Sequence, residues 1–167
     1  MTGDATFDRI VRTHGESLSR VASGYARNDA DHDDLMQEIL VAIWRALPRF
    51  RGESSERTFV FRIAHNRGCT HSSERKRRGD EPESIPDSVA DQRPGPDEET
   101  DRALMRSRLV SAVRTLPELP RQAVLLRLEG FSIAEIAALQ DTSENNVSVR
   151  LTRARDRLSE LLGGGGR

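Results

Sequence analysis

A chain of 167 residues with 35% apolar and 32% charged side chains has room for one ordinary domain or two small ones, with small cores under a heavily charged surface. Aromatic content of 4% argues against a strand-rich fold, no run approaches the roughly 18 apolar residues of a membrane helix, and the single cysteine, Cys69, excludes an internal disulfide. The net charge of −1 hides an uneven distribution: residues 1–78 carry 14 basic and 11 acidic groups, residues 79–101 carry 1 and 9, and residues 102–167 carry 11 and 7. Two mildly basic blocks therefore flank a strongly acidic one. The opening MTGDATFDRI lacks the apolar stretch of a signal peptide, so a cytoplasmic protein without membrane insertion is expected.

Helical periodicity predicts a first helix over about 4–26, with Phe7, Ile10, Val11, Leu18, Val21 and Ala22 inward. A second helix is expected from an N-cap near Asp31, with Leu35, Ile39, Ile43 and Ala46 as its buried stripe and Pro48 as its end. A third is expected from Ser55 or Glu56, with Phe59, Ile63 and Val60 inward. Its continuation RGCTHSSERKRR is barely apolar and contains Gly68, so fraying beyond that residue is expected. The stretch 79–101, with four prolines and few apolar residues, predicts a flexible linker and hence a domain boundary. After it come helices over 102–116, over LPRQAVLLRLEG with Gly130 as the stop, over about 132–139 and over 143–161, then a frayed glycine-rich tail. The fold class is all-α: two small helical domains, 1–78 and 102–162, joined by the acidic linker 79–101 and followed by the tail 163–167.

The last two helices form a distinct unit. Ser132 and Glu135 make a capping box, Ile133, Ile136 and Ala137 face inward, and Gln140 to Thr142 make a tight turn. Asp141 stands where such turns usually have glycine, a substitution aspartate tolerates at some cost. Ser143 caps the last helix, whose stripe of Val147, Leu151, Ala154, Leu158 and Leu161 leaves a face rich in Asn and Arg. Such side chains make bidentate bonds to base edges and neutralise phosphates, and in a helix-turn-helix the second helix enters the major groove. A merely solvated amphipathic helix is the bland alternative, disfavoured by the two caps and the small inward Ala137. In the second helix a polar strip of Asp34, Gln37, Glu38 and Arg45 lies beside Val41 and Trp44. This suits either a protein interface or a solvated face with a half-buried tryptophan.

The stretch DHDDLMQEILVAIWRALPRFRGESSERTFVFRIAHNR resembles conserved region 2 of bacterial RNA polymerase sigma factors. LPELPRQAVLLRLEGFSIAEIAALQDTSENNVSVRLTRARDRL resembles their region 4, and the two blocks on one short linker look like the extracytoplasmic-function group. The resemblance implies a promoter-specificity subunit that performs no bond chemistry, needs no cofactor or metal, and acts as an alternative regulator of a stress or envelope response. Asp34, Gln37, Glu38, Val41, Trp44 and Arg45 would grip the clamp helices of the largest polymerase subunit. Phe50, Arg51, Phe59, Asn66, Arg67, Thr70 and His71 would read the melted minus-ten element, with Arg75, Lys76, Arg77 and Arg78 along the adjacent duplex. Ser143, Asn145, Asn146, Ser148, Val149, Arg150, Thr152, Arg153 and Arg155 would read the minus-thirty-five element. The implied partners are promoter DNA, core polymerase including the flap of its second-largest subunit, and an anti-sigma factor, by which many relatives are held. The acidic linker would thread the polymerase channel as a mimic of RNA.

Two rivals stand beside this reading. A free-standing helix-turn-helix regulator would leave residues 1–78 without a purpose and lacks an obvious dimer helix. A metal site on His65, Cys69 and His71 lacks a local fourth ligand.

Overall fold

The computed structural model describes residues 2–79 and 98–163, and the chain divides into two compact units, 1–80 and 81–167. Most of the expected linker and the tail beyond Gly163 lie outside the described residues. All regular structure among the described residues is helical.

The first unit holds α1 (Thr2–Tyr25), α2 (Asp29–Ala46), a short 3-10 turn (Leu47–Arg49) and α3 (Glu56–Arg77), and α1, α2 and α3 all pack on one another. Ile10, Leu18, Val21 and Ala22 of α1 and Leu35, Ile39 and Ile43 of α2 are fully buried, as their spacing predicts. Each of the buried Val, Leu and Ile side chains contributes about 1.5–3 kcal/mol, enough to outweigh the small differences in helix propensity along these segments.

Three local expectations are corrected. The N-cap of α2 is Asn28, whose side chain accepts from the Asp31 N–H at 2.9 Å. Asp31 lies within the first turn, where its carboxylate accepts from the Arg27 N–H at 2.7 Å. In α3 the buried face is Val60, Phe61, Ala64, His65, Gly68, His71 and Ser72, whereas Phe59 and Ile63 are half-buried. That helix does not fray at Gly68 but runs to Arg77. The physical reason is close packing: a Cβ at Gly68 would stand 2.5 Å from Tyr25 Cδ2 and 2.7 Å from its Cγ. Glycine is therefore the notch that seats the Tyr25 ring, and the burial gained outweighs the roughly 1 kcal/mol propensity penalty.

The second unit holds α4 (Glu98–Arg114), α5 (Glu118–Leu128), α6 (Ile133–Leu139) and α7 (Glu144–Gly163). Helix α4 starts within the stretch expected to be linker, with Glu98, Glu99 and Asp101 in its first turn, where the helix dipole favours carboxylates. The buried Arg121 guanidinium donates twice to the Leu116 carbonyl, at 3.2 and 2.8 Å, closing the turn between α4 and α5. Gly130 adopts φ 87°, which turns the chain so that the Phe131 ring is fully buried and its N–H reaches the Leu126 carbonyl. Helix α7 packs against α4, α5 and α6. Val147 and Ala154 are buried and Leu151 and Leu158 half-buried, but Leu161 is exposed, with Leu162 half-buried in its place.

Candidate nucleic-acid and polymerase interfaces

The outer face of α2 carries Asp34, Gln37, Val41, Trp44 and Arg45, all exposed, at spacings that place them along one side of the helix. Trp44 is 53% exposed and Val41 45%. Two large apolar side chains left in water beside carboxylate and guanidinium groups form the kind of patch that a protein partner covers. Glu38 is half-buried: its carboxylate accepts from Arg67 Nη2 at 3.2 Å and lies 3.5 Å from His71 Nδ1.

Behind this face, α2 and α3 are tied by a polar cluster. His71 Nε2 bonds Asp31 Oδ1 at 2.6 Å, and Arg75 donates to Asp31 Oδ2 at 2.9 Å and to the Tyr25 carbonyl at 3.2 Å. Burial raises the Asp31 pKa, but the Arg27 amide, His71 and Arg75 together overcome it and hold the carboxyl below its ordinary 3.8. An open groove of about 680 Å³ runs along this seam, lined by Asp34, Glu38, Arg45, Arg67 and Arg78 among others.

This cluster changes the roles that residues expected at the minus-ten element can play. His71 is buried, and both ring nitrogens are engaged by carboxylates of α2, so it has no edge to offer DNA. Arg75 turns inward with a side chain only 16% exposed. Asn66, Thr70, Lys76, Arg77 and Arg78 are exposed, as is Arg51, while Arg67 is half-buried against Glu38. Phe50 and Phe59 stack at 4.4 Å between ring centroids, both half-buried. Gly52, at φ 74°, shapes the loop between them. Arg62, not expected from the sequence, is exposed on the same face as Asn66 and Thr70. The i, i+4, i+8 spacing of 62, 66 and 70 is the signal that could have found it.

His65 belongs to the core instead, and Cys69 is half-buried beside it. The Tyr25 hydroxyl and His65 Nδ1 share a hydrogen bond at 2.8 Å, and the Cys69 thiol donates to the same hydroxyl at 3.9 Å. Burial pushes the His65 imidazole down to about 3, so it is neutral. No group of three or more His, Cys, Asp or Glu among the described residues could hold a metal ion.

In the second unit the capping box of Ser132 and Glu135 forms as expected, with Oγ accepting from the Glu135 N–H at 3.1 Å and Oε2 from the Ser132 N–H at 2.6 Å. Asp141 takes φ 50°, the left-handed conformation the turn requires. Ser143 caps α7 by accepting from the Asn146 N–H at 3.1 Å. With about 100° between successive residues, the expected minus-thirty-five residues wrap α7 rather than share one face. Asn145 and Val149 project outward; Asn146, Arg150 and Arg153 lie on the flank toward the turn; Ser148, Thr152 and Arg155 lie on the opposite flank. That second flank lines a groove of about 700 Å³ with Leu128 and Arg127 of α5. Asn145, Asn146, Val149, Thr152, Arg153 and Arg155 are exposed, and Ser148 is half-buried. The Asn146 amide donates to Thr142 Oγ1 at 3.0 Å, and half-buried Arg150 donates to Gln140 Oε1 at 2.8 Å.

Comparison with known proteins agrees with this layout. Residues 10–78 match sigma-70 region 2, and residues 106–158 match sigma-70 region 4. The chain is 31% identical over 166 residues to the RNA polymerase sigma factor CnrH of Cupriavidus metallidurans, covering 93% of this chain and 86% of that protein. It is 31% identical over 161 residues to the ECF RNA polymerase sigma factor SigM of Mycobacterium tuberculosis, covering 94% and 77%. The solved structure of CnrH in complex with the cytosolic domain of CnrY aligns with a TM-score of 0.69 at 26% identity, covering 96% of this chain and 90% of that one. The structure of RpoE with the anti-sigma factor NepR from Bartonella quintana aligns at 0.70 and 24% identity, a likeness of fold. Two sigma-70 regions in order on one chain, with relatives of this identity along most of their length, place it in the sigma-70 family of RNA polymerase sigma factors, extracytoplasmic-function group.

Proposed function

We propose that this sigma factor docks on core RNA polymerase through the outer face of α2 and directs it to promoters by reading DNA with α3 and α7. Asp34, Gln37, Glu38, Val41, Trp44 and Arg45 meet the clamp helices of the largest subunit, and the second unit reaches the flap of the second-largest. Asn66, Thr70, Arg62 and the Phe50–Phe59 pair hold the melted minus-ten strand, whose extruded bases need apolar walls to stack on. Lys76, Arg77 and Arg78 neutralise phosphates of the adjoining duplex. His71 and Arg75 are left out of this set and brace α3 against α2 instead. Asn145, Val149 and Arg153 lead the minus-thirty-five contacts.

The observation that carries the reading is the exposed Trp44–Val41 patch beside Asp34 on a chain that also holds a helix-turn-helix. A free-standing regulator has no use for that patch. The proposal includes a first domain at 1–78 and a second that starts with α4 at Glu98, tethered by the acidic stretch between them, which threads the polymerase channel. Tethering two weak DNA contacts to one polymerase gives specificity through effective concentration. The protein works in the cytoplasm, makes or breaks no covalent bond, and serves a stress or envelope response. An anti-sigma factor is a fitting further partner, since the neighbouring CnrH and RpoE structures hold CnrY and NepR.

The test is co-purification with core polymerase. Wild type is retained, whereas a variant carrying Asp34→Arg and Trp44→Ala is lost from the complex with its helicity unchanged. Retention of that variant at wild-type level would overturn the assigned interface.

A further inference from the structure

Gln140 ends α6, and its side chain bonds to the two helices on either side, α5 and α7. Nε2 donates to the Leu119 carbonyl at 3.0 Å and to Gln122 Oε1 at 3.0 Å, both on α5. Oε1 accepts from Arg150 Nη1 at 2.8 Å on α7. The direction of this amide is fixed by chemistry: arginine only donates and a backbone carbonyl only accepts, so a flipped amide would lose both bonds. Arg150 is half-buried, and its guanidinium is held on the flank of α7 that faces the turn. Its remaining donors therefore leave the surface in one set direction. A tethered arginine meets DNA with little rotamer entropy left to lose, and its planar fork discriminates between base edges only when its plane is fixed.

We infer that Gln140 is a positioning residue for promoter recognition: by accepting from the Arg150 guanidinium and holding it on the flank of α7, it decides which base pair of the upstream element that arginine reads. This rests on the reading of α7 as the helix that enters upstream promoter DNA. Gln140 need not touch DNA itself. The bonds to Leu119 and Gln122 set which way the amide points; a carboxylate, which accepts through either oxygen, can hold Arg150 without them.

Two substitutions separate positioning from bracing. Gln140→Leu removes every bond of the amide. Gln140→Glu keeps an acceptor for Arg150 but loses the donor to α5. Each full-length variant is combined with core polymerase and challenged with a promoter library randomised across the upstream element, alongside Arg150→Ala and the Gln140→Leu/Arg150→Ala double variant. Thermal unfolding of the free chains is measured in parallel.

The expected result is that Arg150→Ala and Gln140→Leu lose preference at the same base position by about fivefold or more. The double variant should lose no more than Arg150→Ala alone, because the two residues act through one interaction. Gln140→Glu should keep the wild-type preference profile, with overall affinity lowered by its added negative charge near phosphate. If Gln140→Leu and Gln140→Glu instead lower melting and affinity alike with the profile unchanged, Gln140 merely braces the fold and the inference is overturned. Should Gln140→Leu not fold, Gln140→Glu decides: a profile lacking the Arg150-dependent position overturns the inference, and a retained profile upholds it. A wild-type holoenzyme that enriches no sequence would refute the promoter-reading role of α7 itself, an outcome distinct from an enriched sequence insensitive to Gln140.

Discussion

Gly68→Ala should destabilise the first unit although it places a better helix former inside a helix. A Cβ at this position would meet three carbons of the Tyr25 ring, Cδ2, Cγ and Cε2, at 2.5, 2.7 and 2.8 Å. Comfortable carbon contacts lie near 3.5–4.0 Å, so the ring must retreat by about 1 Å. It has no easy way to do so, being 1% exposed and bonded to His65. Overpacking of this kind costs about 1–3 kcal/mol, and three ring carbons held from behind put this site near the upper end. The gain in helix propensity is about 1 kcal/mol, which leaves a net loss of roughly 2 kcal/mol. For a unit of this size that is a drop in Tm on the order of 10 °C. Gly15 in α1 is the internal control, since a Cβ there meets only Val11 Cγ1 at 4.0 Å. Gly15→Ala should therefore raise stability by up to about 1 kcal/mol. The single tryptophan and the single tyrosine, Trp44 and Tyr25, both lie in the first unit, so near-ultraviolet dichroism and fluorescence follow its unfolding selectively. If Gly68→Ala melts at or above the wild-type temperature, the packing argument for this helix is wrong.

Three further outcomes follow from the same geometry. Burial holds the His65 imidazole at about 3, below its unfolded value near 6.5, so its contribution is present above pH 6.5 and is lost as pH falls toward 3. The slope reaches about 1.4 kcal/mol per pH unit. Urea midpoints measured between about pH 6 and pH 4.5 should show that slope in wild type and lose it in His65→Gln; an unchanged slope in the variant would count against a buried neutral imidazole. Asp31→Asn removes the negative charge and one of the two acceptor oxygens that the Arg27 amide, His71 and Arg75 use, and puts an N–H2 donor against one of these donors. Its stability should fall by about 3 kcal/mol by urea unfolding, the range for breaking a largely buried ion pair, and a neutral effect would show the cluster to be loosely solvated. Asn145→Ala should relax preference at one upstream base pair by about fivefold or more, whereas Arg153→Ala should weaken all sequences evenly and lower the salt slope by about 1, both read by binding titrations of the holoenzyme.

Much of this architecture was legible because apolar spacing alone fixes which way a helix faces. Leu35, Ile39 and Ile43 sit where a period of 3.6 puts them, and the Ser132–Glu135 capping box marks the start of α6 in the sequence itself. The errors concentrate in α3, where burial is polar. His65 and His71 face inward there because each bonds a residue on another helix, and such pairings across 40 residues leave no local trace in the chain. Gly68 read as a weak point for the same reason, its partner being a ring on a different helix. The exposed patch on α2 was better marked, since Trp44 among carboxylates is conspicuous in any helical projection. On α7 the composition named the Asn and Arg residues but could not show that Gln140 and Thr142 hold two of them.

The most direct test of the account is run-off transcription with purified core RNA polymerase on genomic DNA fragments. Adding this chain should produce discrete new transcripts whose start sites share paired upstream and minus-ten sequences, and the Asp34→Arg/Trp44→Ala variant should produce none. A polymerase that starts no new transcripts with the wild-type chain would contradict the account at its centre.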